Sequence, residues 1–223
     1  MKQYAVIVAG GSGSRMGGGI PKQFRSLNGR PMLWYSLKAF HDENPSTELI
    51  LVLPEDFISL WNDYFLTLSE RERYPHKIAI GGDSRSESVK NGLALIDDRD
   101  SLVAVHDGAR PMVKSEIISE GWRAAEIHDA AIPVVQVVDS LRMITEEGSR
   151  SVDRSKFVAV QTPQVFKTEM LIKAYDFACG KTFSDDASVM ENYGCPVALF
   201  PGSEDNMKVT NPKDLSIASV LVD

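Results

Sequence analysis

The sequence predicts an α/β fold: one domain over residues 1–223, built on a mostly parallel sheet flanked by helices, with a β-hairpin arm protruding at 139–157. Three observations point there. Tyr4 to Ala9 is a short apolar run rich in β-branched residues and bounded at once by glycines, as a strand buried on both faces of a parallel sheet reads. Strand-like and helix-like segments then follow one another, giving strand, loop, helix, strand units of the parallel type. Finally, Leu102 to Val105 leads into His106-Asp107-Gly108-Ala109-Arg110-Pro111, a carboxylate and a small-residue turn at a strand's carboxyl end. A chain of 223 residues with 43% hydrophobic content is large enough for one well-packed core.

In chain order, Asn28-Gly29 makes a turn and Pro31 enters a helix whose apolar face is Leu33, Trp34, Leu37 and Phe40. Glu48 to Leu53 is a second buried strand stopped by Pro54, and residues 55–76 read as a covering helix. Lys77 to Ile80 is a strand and Gly81-Gly82 a turn. Ser84 with Glu87 predicts a capping box for a helix with Val89, Leu93 and Ile96 inward. Asp98-Arg99-Asp100 precedes the next strand, so it reads as a solvated loop. Ser115 is expected to cap a helix through Ile117, Ile118, Trp122 and Ala125, and Ala130 to Val138 returns as a strand. The segment from Asp139 is polar and weakly alternating about Glu147-Gly148, a hairpin too poor in apolar residues for a core of its own. Val158 to Gln161 is a strand and Thr162-Pro163-Gln164 a stop. Thr168 is expected to cap one helix and Ser184-Asp185-Asp186 to open another ended by Gly194. Val197 to Phe200 and Met207 to Thr210 read as edge strands, and Asn211-Pro212 starts the last helix.

The chemistry concentrates after the first strand. Gly10, Gly11, Gly13, Gly17, Gly18 and Gly19 let backbone N–H groups turn toward an oxyanion, and Arg15 and Lys22 bring two cations to the same loop. A dinucleotide fingerprint would need glycine where Met16 stands, and a P-loop would need Gly-Lys-Ser/Thr at its close. What remains is a loop suited to polyphosphate; the plainer alternative is a surface turn with solvated cations. The start of the helix after Gly82, with Arg85 and Ser88 in its first turns, offers a second anion or polar-edge site. Asp107 is the metal candidate, because Mg²⁺ on phosphates takes one or two carboxylates. Arg110 could meet a phosphate or pair structurally with the Asp, and His106 reads as a packed, hydrogen-bonded residue. A net charge of −7 argues against general nucleic-acid or anionic-membrane binding. No signal peptide or transmembrane run is read, and Cys179 and Cys195 lack metal spacing, which together predict a cytoplasmic chain with reduced thiols.

In order, VAGGSGSRMG with PKQF, GGDSRSESVKNGL, VHDGARP, VDRS, TPQVF, SDDAS and NMKVT resemble the cytidylyltransferases that act on 2-C-methyl-D-erythritol 4-phosphate, over essentially the whole chain. The resemblance implies a Rossmann-like, GT-A-like nucleotidyltransferase fold and transfer of CMP from CTP to methylerythritol phosphate. It also implies Mg²⁺ or another divalent cation and a homodimer formed through the hairpin arm. By the same resemblance Arg15, Lys22 and Lys208 are the catalytic cations around the phosphates. Ala9, Gly10, Gly11 and Gly13, with Gly82, Asp83 and Ser88, would hold CTP. Asp107 would face metal and substrate, joined by Arg110, Ser140, Arg154, Thr162 and Ser184. The chain differs from the common pattern in Ser140 and Ser184, where Thr is usual, and in Gly108, where Ala is usual. Ribitol-5-phosphate cytidylyltransferases share several of these motifs and form the alternative. A nicotinamide oxidoreductase on the glycine loop and a non-catalytic nucleotide-binding regulator are the readings from other classes.

Overall fold

The computed structural model describes residues 1–10, 21–178 and 180–222. The chain builds β1 (Lys2–Val8), the short strands β2 (Ser26–Leu27) and β3 (Arg30–Pro31), α1 (Met32–Glu43), β4 (Glu48–Leu53), α2 (Ile58–Thr67), β5 (His76–Ile80), α3 (Arg85–Leu93), β6 (Ser101–Asp107) and α4 (Ser115–His128). Then come β7 (Ala130–Gln136), the hairpin β8 (Leu141–Thr145) and β9 (Gly148–Val152), β10 (Val158–Val160), β11 (Gln164–Lys167), α5 (Thr168–Phe177), α6 (Asp186–Asn192), β12 (Ala198–Pro201) and α7 (Pro212–Leu221).

Strands β5, β4, β1 and β6 lie side by side in parallel. The chain moves from β1 outward to β4 and β5, then returns to place β6 on the other side of β1, so the order reverses between β1 and β6. That reversal opens a crevice at the strands' carboxyl ends. Alternation within each strand divides the interior in two. Ala5, Ile7, Leu49, Leu51 and Ala104 face one side with α1, α4 and Trp61. Tyr4, Val6, Ile50, Val52 and Val105 face the other, with Val89 and Leu93 of α3 and Leu171 and Met190 from α5 and α6. Each Val, Leu or Ile side chain among them that is fully removed from water contributes about 1.5–3 kcal/mol. Helix α3 lies especially close to the sheet: a Cβ on Gly92 would meet Val6 Cγ1 at 2.6 Å and Val52 Cγ2 at 3.0 Å.

The predicted α/β class is present with most of its alternating elements, and the differences have local causes. Thr162-Pro163-Gln164 does not stop the sheet. Gln164 begins β11, an antiparallel strand between β6 and β7 that the sequence reading lacks. Val160 faces Val134 and Val165 faces Ala131, so β10 and β11 follow the same partner with extra chain looped out between them. Ser115 and Thr168 are first helical residues rather than caps, after Lys114 and Lys167. Thr168 Oγ1 instead meets Ser101 Oγ at 2.8 Å. Met207–Thr210 is irregular and joins no ladder; Val209 N–H instead donates to Ala109 O, in the turn after β6, at 2.8 Å. The hairpin turns at Glu146-Glu147, one residue earlier than expected, with Thr145 opposite Gly148. As expected it lacks a core, and Ile144 is 81% exposed.

Candidate active site

Register alone brings the two informative stretches together. Val8, the last residue of β1, is paired with Asp107, the last of β6, and Gly108 N–H donates to Val8 O at 3.0 Å. Asp107 is only 8% exposed. One carboxylate oxygen accepts from Lys208 Nζ at 2.6 Å and the other from Arg85 Nε at 3.3 Å. Burial works to raise the Asp107 pKa, but Arg85 and Lys208 outweigh it and hold the group well below the usual carboxylate range. Continuing the β6–β11 register past Gln164 opposite Val105 sets Thr162 opposite Asp107. There its side chain replaces a ladder bond: Asp107 N–H donates to Thr162 Oγ1 at 3.1 Å.

His106 is fully buried, with Nδ1 against Thr162 Oγ1 at 3.2 Å, Nε2 against Arg110 O at 3.1 Å and its ring edge-on to Phe40. Burial pushes its pKa down to about 4, so it is a neutral packing residue at physiological pH. Arg110 does not form the alternative structural pair with Asp107; its Nη1 donates to Asn206 O at 2.6 Å. Asn206 Nδ2 in turn donates to Thr162 O at 2.9 Å, so Arg110 braces the turn behind the carboxylate. The Arg110 Nε is buried without a partner among the described residues.

Beside Asp107, the loop leaving β1 approaches α3. A Cβ on Gly10 would meet Ser88 Oγ at 2.6 Å, so this position needs glycine to let loop and helix touch. Three of the N–H groups expected to be open for an anion around the start of α3 are occupied. Gly82 N–H donates to Ser88 Oγ (3.1 Å), Asp83 N–H to the Glu87 carboxylate (2.9 Å) and Glu87 N–H to Ser84 Oγ (3.1 Å). The capping box is therefore displaced by one residue, since Glu87 reaches Asp83 rather than Ser84. Ala9 is similarly engaged, its N–H with Val52 O and its carbonyl with the Gln23 amide. Lys22 Nζ donates to Val209 O at 2.9 Å, which ties it to the segment that carries Lys208. Gly11, Gly13 and Arg15 lie outside the described residues.

Three predicted residues stand apart. Ser140 and Arg154 are exposed at the foot of the hairpin, where Arg154 Nη1 donates to Val138 O. Ser184 is exposed before α6, against Ser188 Oγ at 3.3 Å. The sequence reading missed two participants. Arg85, noted only as lying in the first turns of α3, also donates to Asp186 Oδ2 at 2.7 Å, and Asp186 is wholly buried. Of the acidic pair assigned to capping, only Asp185 caps, accepting Ser188 N–H at 3.1 Å. A sequence shows two adjacent acids but not which one points inward. What the site offers is a fixed carboxylate between two cations, at the switch point, with Gly10 and Lys22 nearby. That arrangement suits binding and charge stabilisation of phosphates.

A family model described as 2-C-methyl-D-erythritol 4-phosphate cytidylyltransferase matches residues 3–223. The chain belongs to this family. A protein of that name from Bacteroides thetaiotaomicron is 46% identical over 224 residues, with all of both chains covered. One from Porphyromonas gingivalis is 42% identical over 99% of this chain and 98% of its own. Among solved structures, the 2-C-methyl-D-erythritol 4-phosphate cytidylyltransferase of Thermus thermophilus superposes with a TM-score of 0.80 at 33% identity, covering 99% of this chain and 98% of that one. Membership makes the chain a nucleotidyltransferase on a Rossmann-like sheet, and the ribitol alternative is not favoured. The oxidoreductase and regulator readings fall with it.

Proposed function

We propose that the crevice between β1 and β6 is where this cytidylyltransferase joins CTP to 2-C-methyl-D-erythritol 4-phosphate, with Asp107 at its centre. An oxygen of the sugar-alcohol phosphate attacks the α-phosphorus of CTP. The new P–O bond forms as the bond to the β-phosphate oxygen breaks, giving 4-diphosphocytidyl-2-C-methyl-D-erythritol and pyrophosphate. Negative charge stays on phosphate oxygens throughout, so no protein nucleophile is needed; the residues hold the partners in line and supply fixed positive charge. The observation that carries this reading is the Lys208–Asp107–Arg85 cluster placed at the switch point beside Lys22.

Arg15, Lys22 and Lys208 neutralise the phosphates. Gly10, Gly11 and Gly13, with the Gly82, Asp83 and Ser88 corner, receive the nucleotide. Thr162 and Arg110 hold Asp107 and its turn in place. Ser140, Arg154 and Ser184 serve the sugar phosphate. The exposed hairpin 139–157 reaches a second copy of the chain, which explains a polar arm with an outward Ile144. No three His, Cys, Asp or Glu side chains cluster among the described residues, so a divalent ion fits only as one carried mainly by the triphosphate. Asp107 is the carboxylate that would meet it, since each of its oxygens keeps a second lone pair. The ion's contribution would be to draw charge from the phosphate oxygens. No helix among the described residues is long and apolar enough to cross a membrane, and a buried free Cys195 suits the reducing cytoplasm.

Pyrophosphate release with Mg²⁺ and CTP, paired separately with methylerythritol 4-phosphate and ribitol 5-phosphate, tests the reading, with UTP and ATP as controls. Release is expected only with CTP and methylerythritol phosphate. Release with ribitol phosphate alone would overturn the acceptor, and silence with every pair would overturn the activity.

A further inference from the structure

Behind Asp107, side chains from four elements meet in a place the substrates need not touch. The Tyr175 hydroxyl, from α5, donates to Asp186 Oδ1 at 2.5 Å. The other oxygen of Asp186 accepts from Arg85 Nη2 at 2.7 Å, and Arg85 Nε reaches Asp107. The main chain of Asp186 is fixed too. Gln164 Oε1, on β11, accepts N–H bonds from Asp186 (3.1 Å) and Ala187 (2.9 Å), while Gln164 Nε2 donates to Asp185 Oδ2 at 2.8 Å. A fully buried carboxylate is costly unless it is paired, and an apolar residue would fill the space at least as well for stability alone.

The two cations on Asp107 differ in freedom. Lys208 lies on an irregular segment outside any ladder with its side chain 42% exposed, whereas Arg85 is locked by a carboxylate of 0% exposure. We infer that Asp186, oriented by Tyr175 and Gln164, is a positioning residue that holds the Arg85 guanidinium and through it fixes Asp107, leaving Lys208 able to turn to a substrate phosphate. The inference rests on the reading of Asp107 as the centre of the site. Both carboxylates hold Arg85 firmly cationic against the opposing effect of burial.

The test is a double-mutant cycle on the full chain, read as kcat and KM for pyrophosphate release from CTP and methylerythritol phosphate. Asp186→Asn and Arg85→Lys each lower kcat about tenfold or more with little change in either KM, as misplacement of a reacting group does. The double variant is no slower than the slower single one, because Asp186 acts only through Arg85. Tyr175→Phe removes one hydroxyl from the far end, lowers kcat by a smaller factor, and does nothing further in the Arg85→Lys background. Additive losses, or unaltered kcat in Asp186→Asn or in Tyr175→Phe, would overturn the inference. An unmodified protein that releases no pyrophosphate would instead overturn the reading on which it rests.

Discussion

Two charge clusters sit at opposite ends of the same parallel strands. At the amino ends, Lys2 from β1 bridges Glu48 of β4 (2.6 Å) and Asp97 (3.1 Å), and Lys77 of β5 bridges Glu48 again (3.0 Å). At the carboxyl ends, Asp107 lies between Lys208 and Arg85, and Arg85 continues to Asp186. Both are chains of alternating sign with similar distances. They differ in access to water: Asp97 is 65% exposed, Asp186 not at all. Exposed pairs are screened and contribute little, whereas charges in a crevice act at lower dielectric and persist only where every partner is in place. The crevice also lies where strand order reverses, the place where an open sheet of this kind receives its ligand.

Substitutions can break this contrast in order of size. Lys208→Ala lowers turnover about 10²–10³-fold, the usual loss when one stabiliser of developing charge is removed, and Lys22→Ala falls in the same range. Lys77→Ala, its counterpart at the other end, leaves turnover unchanged; equal losses at both ends would dissolve the distinction. For stability, Asp186→Ala costs about 3–5 kcal/mol in denaturant unfolding, because it strands the buried Arg85 and Tyr175 groups. Asp97→Ala should leave the unfolding midpoint where it was, and a marked fall would show that the exposed cluster matters more than its access to water implies.

Gly92→Ala tests how tightly α3, the carrier of Arg85 and Ser88, is pressed to the sheet. The added methyl meets Val6 and Val52, and a cost of about 1–3 kcal/mol is expected. A neutral result would mean that the helix can shift, and Arg85 with it.

The smallest effect belongs to His76, away from the crevice. Its Nε2 accepts the Trp61 indole N–H at 2.8 Å and its Nδ1 meets Tyr74 O at 2.7 Å, an arrangement of the neutral ring. Burial lowers its pKa below 6.5, so the unfolded chain takes up this proton first as the solution is acidified. Its stabilising contribution is complete above about pH 6.5 and fades as pH falls toward the lower folded value. Melting temperatures between pH 8 and pH 5 should fall more steeply for the unmodified protein than for His76→Gln. Parallel curves would count against the assignment.

How much of this could be read from residues alone follows the range of the interactions. Tyr4 to Ala9, Glu48 to Leu53 and Asp107 at a strand end were legible, because burial on both faces and a carboxyl-end turn leave local patterns. The collinear motifs also revealed the family. Strand β11 was hidden by Thr162-Pro163, since a proline that usually ends a strand here lies in chain looped out of the ladder. Arg85 and Asp186 are 101 residues apart, and their ion pair has no signature in either neighbourhood. Asp185 and Asp186 look alike in sequence; only the docking of α6 on β11 turns one to cap and the other to the core.

The claim that the chemistry is concentrated at the carboxyl end is tested most directly by comparing Asp107→Asn with Glu48→Gln. The measurement is turnover in pyrophosphate release from CTP and methylerythritol phosphate, with folding of each variant checked by its melting curve. Asp107→Asn should lose about 10²-fold or more while folded, because the fixed charge that orders Arg85 and Lys208 is gone, and Glu48→Gln should turn over like the unmodified protein. A folded Asp107→Asn variant with ordinary turnover would contradict the account.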